Sequence, residues 1–258
     1  MKKIGLVGGT GPESTLMYYK ELNSRLDKIT NSKQMPEINI ESVDFRKAWD
    51  FVANKNYKAL ADYLSEKIIN LKNSGCEIIT LTAGTMHIVY EEIVKNTNIE
   101  LVSIPKVICE EILNKKYSKV GMLGTIFTME QDFLKKDLQN AGIEVIVPEK
   151  DDRELIAKRI LEELELGIVK DTTLKEFQQI ITKMKSTQGI QAVILGCTEL
   201  PLLLSPKNCP VDCLDSVELH IQKLIKLAKQ LDKVSIFLDT LRIVINFANS
   251  KIRLVKAH

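Results

Sequence analysis

Histidine is scarce in this sequence: three in 258 residues, with His87 in a turn region, His220 inside a helical stretch and His258 at the end. No carboxylate pair stands at metal-ligand spacing to make up the shortage. A metal site and a Ser-His-Asp hydrolase are both short of ligands, and no metal is expected. The glycines do not form G-x-G-x-x-G and no G-K-[ST] occurs, so the usual dinucleotide and phosphate-loop fingerprints are missing. Charge of one sign is also lacking. Lys+Arg 36 against Asp+Glu 34 leaves a net charge of +2 with the two signs interspersed, and no nucleic-acid partner is expected. The N-terminus enters a strand-like run at once, without an apolar leader core, and the apolar stretch after Val234 is too short and interrupted to span a bilayer. Neither export nor a membrane partner is expected. The five cysteines, Cys76, Cys109, Cys197, Cys209 and Cys213, are odd in number and widely spread, which fits reduced thiols and a cytoplasmic protein. Cys209 and Cys213 form a C-x3-C pair with no second pair and no histidine nearby, too little for zinc.

What is present is the rhythm of an α/β protein. Residues 3–7 read as a strand, followed by the turn Gly8-Gly9-Thr10-Gly11-Pro12-Glu13-Ser14 and a helix with Leu16, Tyr19, Leu22 and Leu26 at helical spacing. Strands are expected at 38–43, 77–81 and 101–104, the last closed by Pro105, and a helix at 57–73 with Gly75 beyond its end. The pattern restarts with strands at 119–123, 143–147 and 191–195, and with helices at 130–141, 154–166, 173–185 and 216–231. Two halves of similar grammar imply a duplicated α/β unit with short parallel sheets and right-handed crossovers. We expect a first domain from 1–104 plus 206–231, a second from 105–205, and an extension at 232–258 that is peripheral or lies at an interface.

Ligands of open parallel sheets bind beyond the carboxyl ends of the strands. The turns at those ends, 8–14, 44–46, 82–87, 124–128 and 196–199, are rich in threonine and glycine and contain one cysteine. A small anionic ligand held by hydroxyls and backbone amides beside one thiol suits this inventory. Cys76 and Cys109 read as small buried apolar residues. Cys197 differs: it follows a glycine at a strand end and precedes a helix start, where amide dipoles are expected to lower its pKa and make it a base or nucleophile.

The segments G-L-V-G-G-T-G-P-E-S-T near the N-terminus, T-M-H after the third strand, L-G-T with T-M-E-Q-D-F, and L-G-C-T-E in the second half together resemble the aspartate/glutamate racemase superfamily. The resemblance is closest to its broad-specificity branch and runs over about residues 1–231. It implies two Rossmann-like domains related by a pseudo-twofold axis, with the active site in the cleft between them. It also implies a small-molecule substrate (an amino acid or related carboxylate), no pyridoxal phosphate or other cofactor, and a homodimer. In that family two thiols exchange protons with opposite faces of the substrate Cα. Here Cys197 matches the second thiol, while Ala83 stands where the first is expected, with Thr82 beside it. Thr10, Gly11, Gly84, Thr85, Thr125, Thr128 and Thr198 match the substrate-binding positions.

Three departures accompany the match. Alanine at 83 cannot transfer a proton, which leaves Thr82 or a water held by His87 to replace the missing acid. The arginine that would hold a side-chain carboxylate is absent or displaced to Arg46. The basic residue expected in the middle of the chain falls in Leu161-Glu162-Glu163-Leu164-Glu165. A single thiol also resembles arylmalonate decarboxylase, and a catalytically impaired amino-acid-binding homologue is the third reading.

Overall fold

The computed structural model describes residues 1–229, so the expected extension at 232–258 lies outside the described residues. β1 (Ile4–Gly8), β2 (Ile38–Ser42) and β3 (Ile78–Leu81) form a parallel sheet in the order β2-β1-β3, with Ile4 opposite both Ile38 and Ile78. β4 (Lys119–Leu123), β5 (Glu144–Ile146), β6 (Ala192–Leu195) and β7 (Asp212–Asp215) form a second parallel sheet in the order β5-β4-β6-β7. In each half the first strand is central, the second pairs on one side and the third on the other, which is the shared architecture that the two halves of the sequence imply. β1, β3 and β6 are buried along their whole length, as expected of strands covered by helices on both faces.

Helices fill the crossovers. α1 (Pro12–Ile29), α2 (Phe45–Ala53), α3 (Tyr57–Asn73), α4 (Tyr90–Thr97) and α5 (Ile104–Asn114) belong to the first half of the chain. α6 (Ile126–Glu130), α7 (Lys136–Asn140), α8 (Lys150–Glu162), α9 (Asp171–Gln188) and α10 (Ser216–Lys229) belong to the second. α2, α5 and β7 went unread in the sequence.

Four expectations need correction. The inward face of α1 is Ser14, Thr15, Tyr18, Leu22 and Leu26, whereas Leu16 and Tyr19 are 63% and 47% exposed. The hydroxyl of Thr15 accepts from the Gly9 N–H at 3.0 Å, which turns that side of the helix toward the sheet. The strand expected at 101–104 is reduced to a single bridge between Val102 and Thr80. Pro105 opens α5 rather than ending a strand, since the first helical turn needs no N–H from it. The helix expected at 130–141 is interrupted: the ammonium of Lys135 donates to the carbonyls of Met129 at 3.0 Å and Glu130 at 3.3 Å and caps α6 before α7 begins. Finally, β7 pairs with β6 (Ala192 opposite Asp212), so the second sheet continues to Asp215, past the domain boundary expected at 205.

The return to the first sheet is made by α10. Its Val217, Ile221, Leu224 and Ile225 pack with Ile4, Leu6, Tyr18, Leu22 and Leu26. His220 lies fully buried in this seam. Its Nδ1 accepts from the Tyr18 hydroxyl at 2.6 Å, and its Nε2–H points at the Val102 carbonyl at 3.1 Å and at Thr80 Oγ1 at 3.0 Å. Among the described residues no helix is long and apolar enough to cross a membrane.

Candidate active site

Strand order decides where the site falls. In β2-β1-β3 the crossovers leave β1 in opposite directions, which opens a crevice between the ends of β1 and β3; the ends of β4 and β6 repeat this in the second sheet. The loops that follow those four strands line one cleft of ≈ 220 Å³. Thr10, Gly11, Thr82, Ala83, Gly84 and Thr85 come from the first sheet, and Thr125, Thr128, Cys197 and Thr198 from the second. The expected thiol, the position facing it and the expected substrate-binding positions therefore line one cleft, whereas His87 and the turn at 44–46 do not. Glu13, Ser14, Ile104, Leu134, Gly196, Glu199, Ser216 and Val217 also line the cleft. Ser216 and Val217 could not be placed without knowing that β7 lies beside β6. The turn at 44–46 follows the flanking strand β2, and Asp44 and Arg46 line a separate depression with Leu16 and Phe45.

Glycines at the strand ends make room for the hydroxyls. A Cβ on Gly124 would come within 2.8 Å of Thr128 Cγ2, and one on Gly196 would meet the same methyl at 2.8 Å and the Leu123 carbonyl at 3.0 Å. Gly8 plays this part for Thr15, whose Cγ2 would lie 2.5 Å from an added Cβ. These distances explain why the runs of β1, β4 and β6 stop at a glycine. Thr125 caps α6 through the Thr128 N–H at 3.2 Å, and the Thr125 and Thr128 hydroxyls are 3.1 Å apart. Other hydroxyls already have acceptors. Ser14 donates to the Thr82 carbonyl at 2.8 Å, Thr82 to the Val7 carbonyl at 3.3 Å and Ser216 to the Leu195 carbonyl at 2.7 Å. Thr10 is 8% exposed, and neither it nor Thr85 has a hydroxyl partner among the described residues.

The Cys197 thiol donates to Glu199 Oε2 at 2.6 Å, and the Thr198 hydroxyl to Glu199 Oε1 at 2.5 Å. Burial first, and the Glu199 carboxylate second, push the thiol far above its ordinary value. The sequence led to the opposite expectation. Only the short 3-10 turn Leu200–Leu202 follows, so there is little helix dipole to offset a carboxylate held against the sulfur. Cys197 therefore rests as a thiol with a base already in contact. On the facing loop, Ala83 presents a methyl.

His87 does not serve the cleft. Its Nδ1–H points at the carbonyls of Ala83 at 3.2 Å and Gly84 at 3.1 Å, and its Nε2 accepts the Ile104 N–H at 3.2 Å. Burial lowers its pKa to about 4, so it is a neutral brace between the 3-10 turn Gly84–Val89 and α5. No water on His87 can replace the missing acid through a ring nitrogen already engaged. Among the described residues no group of histidines, cysteines and carboxylates could hold a metal ion.

An aromatic run links the halves beside the cleft. Phe45 and Trp49 of α2 lie 6.2 Å apart, Trp49 and Phe127 of α6 are 5.9 Å apart, and Phe127 and Phe133 are 5.7 Å apart.

Comparison with known proteins accords with this geometry. The family model described as Asp/Glu/Hydantoin racemase matches residues 7–224. A crystal structure of a proposed Asp/Glu racemase from Yersinia pestis is 35% identical, with a TM-score of 0.84 over 89% of this chain and 100% of that one. An aspartate racemase homologue from Pyrococcus horikoshii OT3 is 37% identical, with a TM-score of 0.79 over the same shares. The broad specificity amino-acid racemase RacX of Bacillus subtilis is 23% identical over 83% of this chain and 92% of its own.

Proposed function

The chain belongs to the Asp/Glu/hydantoin racemase family, and from that membership we propose that it moves a proton at the Cα of an amino acid without pyridoxal phosphate or metal, through the single thiol of Cys197. The observation that carries the reading is that the ends of β3 and β6, matching strands of the two sheets, bring Ala83 and Cys197 into one cleft with unpartnered hydroxyls.

In this reading the substrate carboxylate lies among Thr10, Thr85 and the Thr125–Thr128 pair, near the amide end of α1, with Gly11, Gly84 and Thr198 completing the walls. A Cα proton is a very weak acid. Hydrogen bonds that strengthen as charge builds on the carboxylate must supply much of the catalysis. Glu199 takes the thiol proton, and the thiolate then removes the proton from Cα, so the cleft keeps one proton more than at rest until it is returned. At the face beside Ala83 the methyl can neither give nor take a proton. Water admitted there, hydrogen-bonded to Thr85, supplies that face, because the Thr82 hydroxyl is directed at the Val7 carbonyl. The proposal includes a cytoplasmic homodimer, which light scattering of the purified chain would test.

In heavy water the protein is expected to wash deuterium into Cα of an amino acid from either enantiomer, and Cys197→Ala to lower the rate at least about a hundredfold. Exchange from one enantiomer only would reduce the reading to a one-face enzyme. Carbon dioxide release from an arylmalonate instead would favour the decarboxylase, and binding with no exchange the impaired homologue.

A further inference from the structure

Position 83 offers no acid to the face of Cα beside it, and the cleft holds few groups that could act in its place. Among the described residues the titratable side chains lining it are Cys197, Glu199 and Glu13. Both oxygens of Glu199 are engaged on its own loop, Oε2 by the Cys197 thiol and Oε1 by the Thr198 hydroxyl. The carboxylate of Glu13, in the first turn of α1, accepts no hydrogen bond and forms no ion pair among the described residues. Its place is set by the turn before it, where Gly11 bends the chain at φ +102° and Pro12 opens the helix. The two residues after it tie that turn to the Ala83 loop: Ser14 donates to the Thr82 carbonyl at 2.8 Å, and the Thr15 and Thr82 hydroxyls are 3.4 Å apart. Glu13 therefore belongs to the Ala83 side of the cleft, as Glu199 belongs to the Cys197 side.

Resting on the racemase reading, we infer that Glu13 is the acid and base of the Ala83 face, working through the water admitted beside that methyl. A carboxylate one water away from the reacting atom is within reach of general acid–base catalysis. In one direction the water takes the proton from Cα as it gives one of its own to Glu13. The electron pair of the broken C–H bond stays on Cα, spread into the substrate carboxylate, until the Cys197 thiol returns a proton on the other face. In the reverse direction Glu199 holds the thiol proton, the Cys197 thiolate removes the proton from Cα, and a protonated Glu13 gives one to the water as the water gives one to Cα. One proton leaves the substrate and one enters it in each turnover, and solvent resets the side chains afterwards. The thiol that Cys197 keeps at rest is the acid that the first direction requires.

The test is deuterium wash-in at Cα, followed by proton NMR on the intact chain, with each enantiomer of alanine, aspartate, glutamate and lysine supplied separately. Glu13→Gln is expected to slow exchange from one enantiomer about a hundredfold and to leave the other within about threefold. Cys197→Ala should fall most heavily on the opposite enantiomer. Adding Ala83→Cys to Glu13→Gln should restore the lost exchange, because a thiol at 83 serves the same face; a variant damaged in its fold would not recover. Equal losses from both enantiomers, the mark of a residue that only holds the α-ammonium, would overturn the inference and leave the racemase reading intact. So would no loss from either, or a double variant that stays slow. No exchange from either enantiomer by the unaltered chain would overturn the reading and the inference together.

Discussion

Ala83 and Cys197 hold matching places after β3 and β6, and the difference between a methyl and a thiol at those two points governs what the cleft can do. Restoring a thiol with Ala83→Cys is expected to raise exchange at the face that Cys197 does not reach by about a hundredfold, within the usual range of a positioned acid or base. Exchange rates measured separately from the two enantiomers would show it; an unchanged ratio would mean that the Ala83 loop does not face Cα. The thiol at 197 was recognisable from its place after a glycine. Its protonation state was not, because that depends on which way the Glu199 side chain turns, and no sequence pattern records a rotamer.

The strand ends are the elements on which the site depends. Gly196→Ala places a methyl 2.8 Å from Thr128 Cγ2 and 3.0 Å from the Leu123 carbonyl, so either Thr128 shifts or β6 moves away from β4. We expect a loss of about 1–3 kcal/mol in urea unfolding, as for other overpacked sites, together with weaker amino-acid binding. Full stability would show that the contact relaxes freely. Elements with a strong period were readable: α3 keeps Leu60, Leu64, Ile68 and Leu71 buried as its spacing implies. β7 was hidden because only Leu214 of its four residues is buried. α5 was hidden because a proline reads as a stop until its place in the first turn is known. The positions after β1, β3, β4 and β6 were legible because those apolar runs give way to turns of glycine and threonine, and a parallel sheet admits few other places for such turns.

At the scale of the whole molecule, the two braced histidines tie stability to pH. Burial lowers His87 to about 4 and His220 to about 3 from 6.5. The unfolded chain thus binds protons first as pH falls. Stability is full above 6.5 and is lost on the way down toward the folded values, by about 2 kcal/mol per histidine at pH 5. Urea midpoints at pH 7.5 and pH 5 should show this loss before the carboxylates titrate, and a flat profile between them would refute it. His220 holds α10 to the first sheet and His87 braces the loop that carries Ala83, so the acid side of an activity profile would report the scaffold as well as the chemistry in the cleft.

The aromatic run beside the cleft gives the protein an optical property. Trp49 is the one tryptophan in the chain, 42% exposed on α2 and resting against Phe127, which follows the cap formed by Thr125. Its indole emission therefore comes from a single address on the border between the two sheets. A ligand that draws the Thr125–Thr128 turn toward the first sheet, or lets it recede, changes the solvent around that ring, so the width of the cleft can be followed as a colour shift in the unlabelled protein.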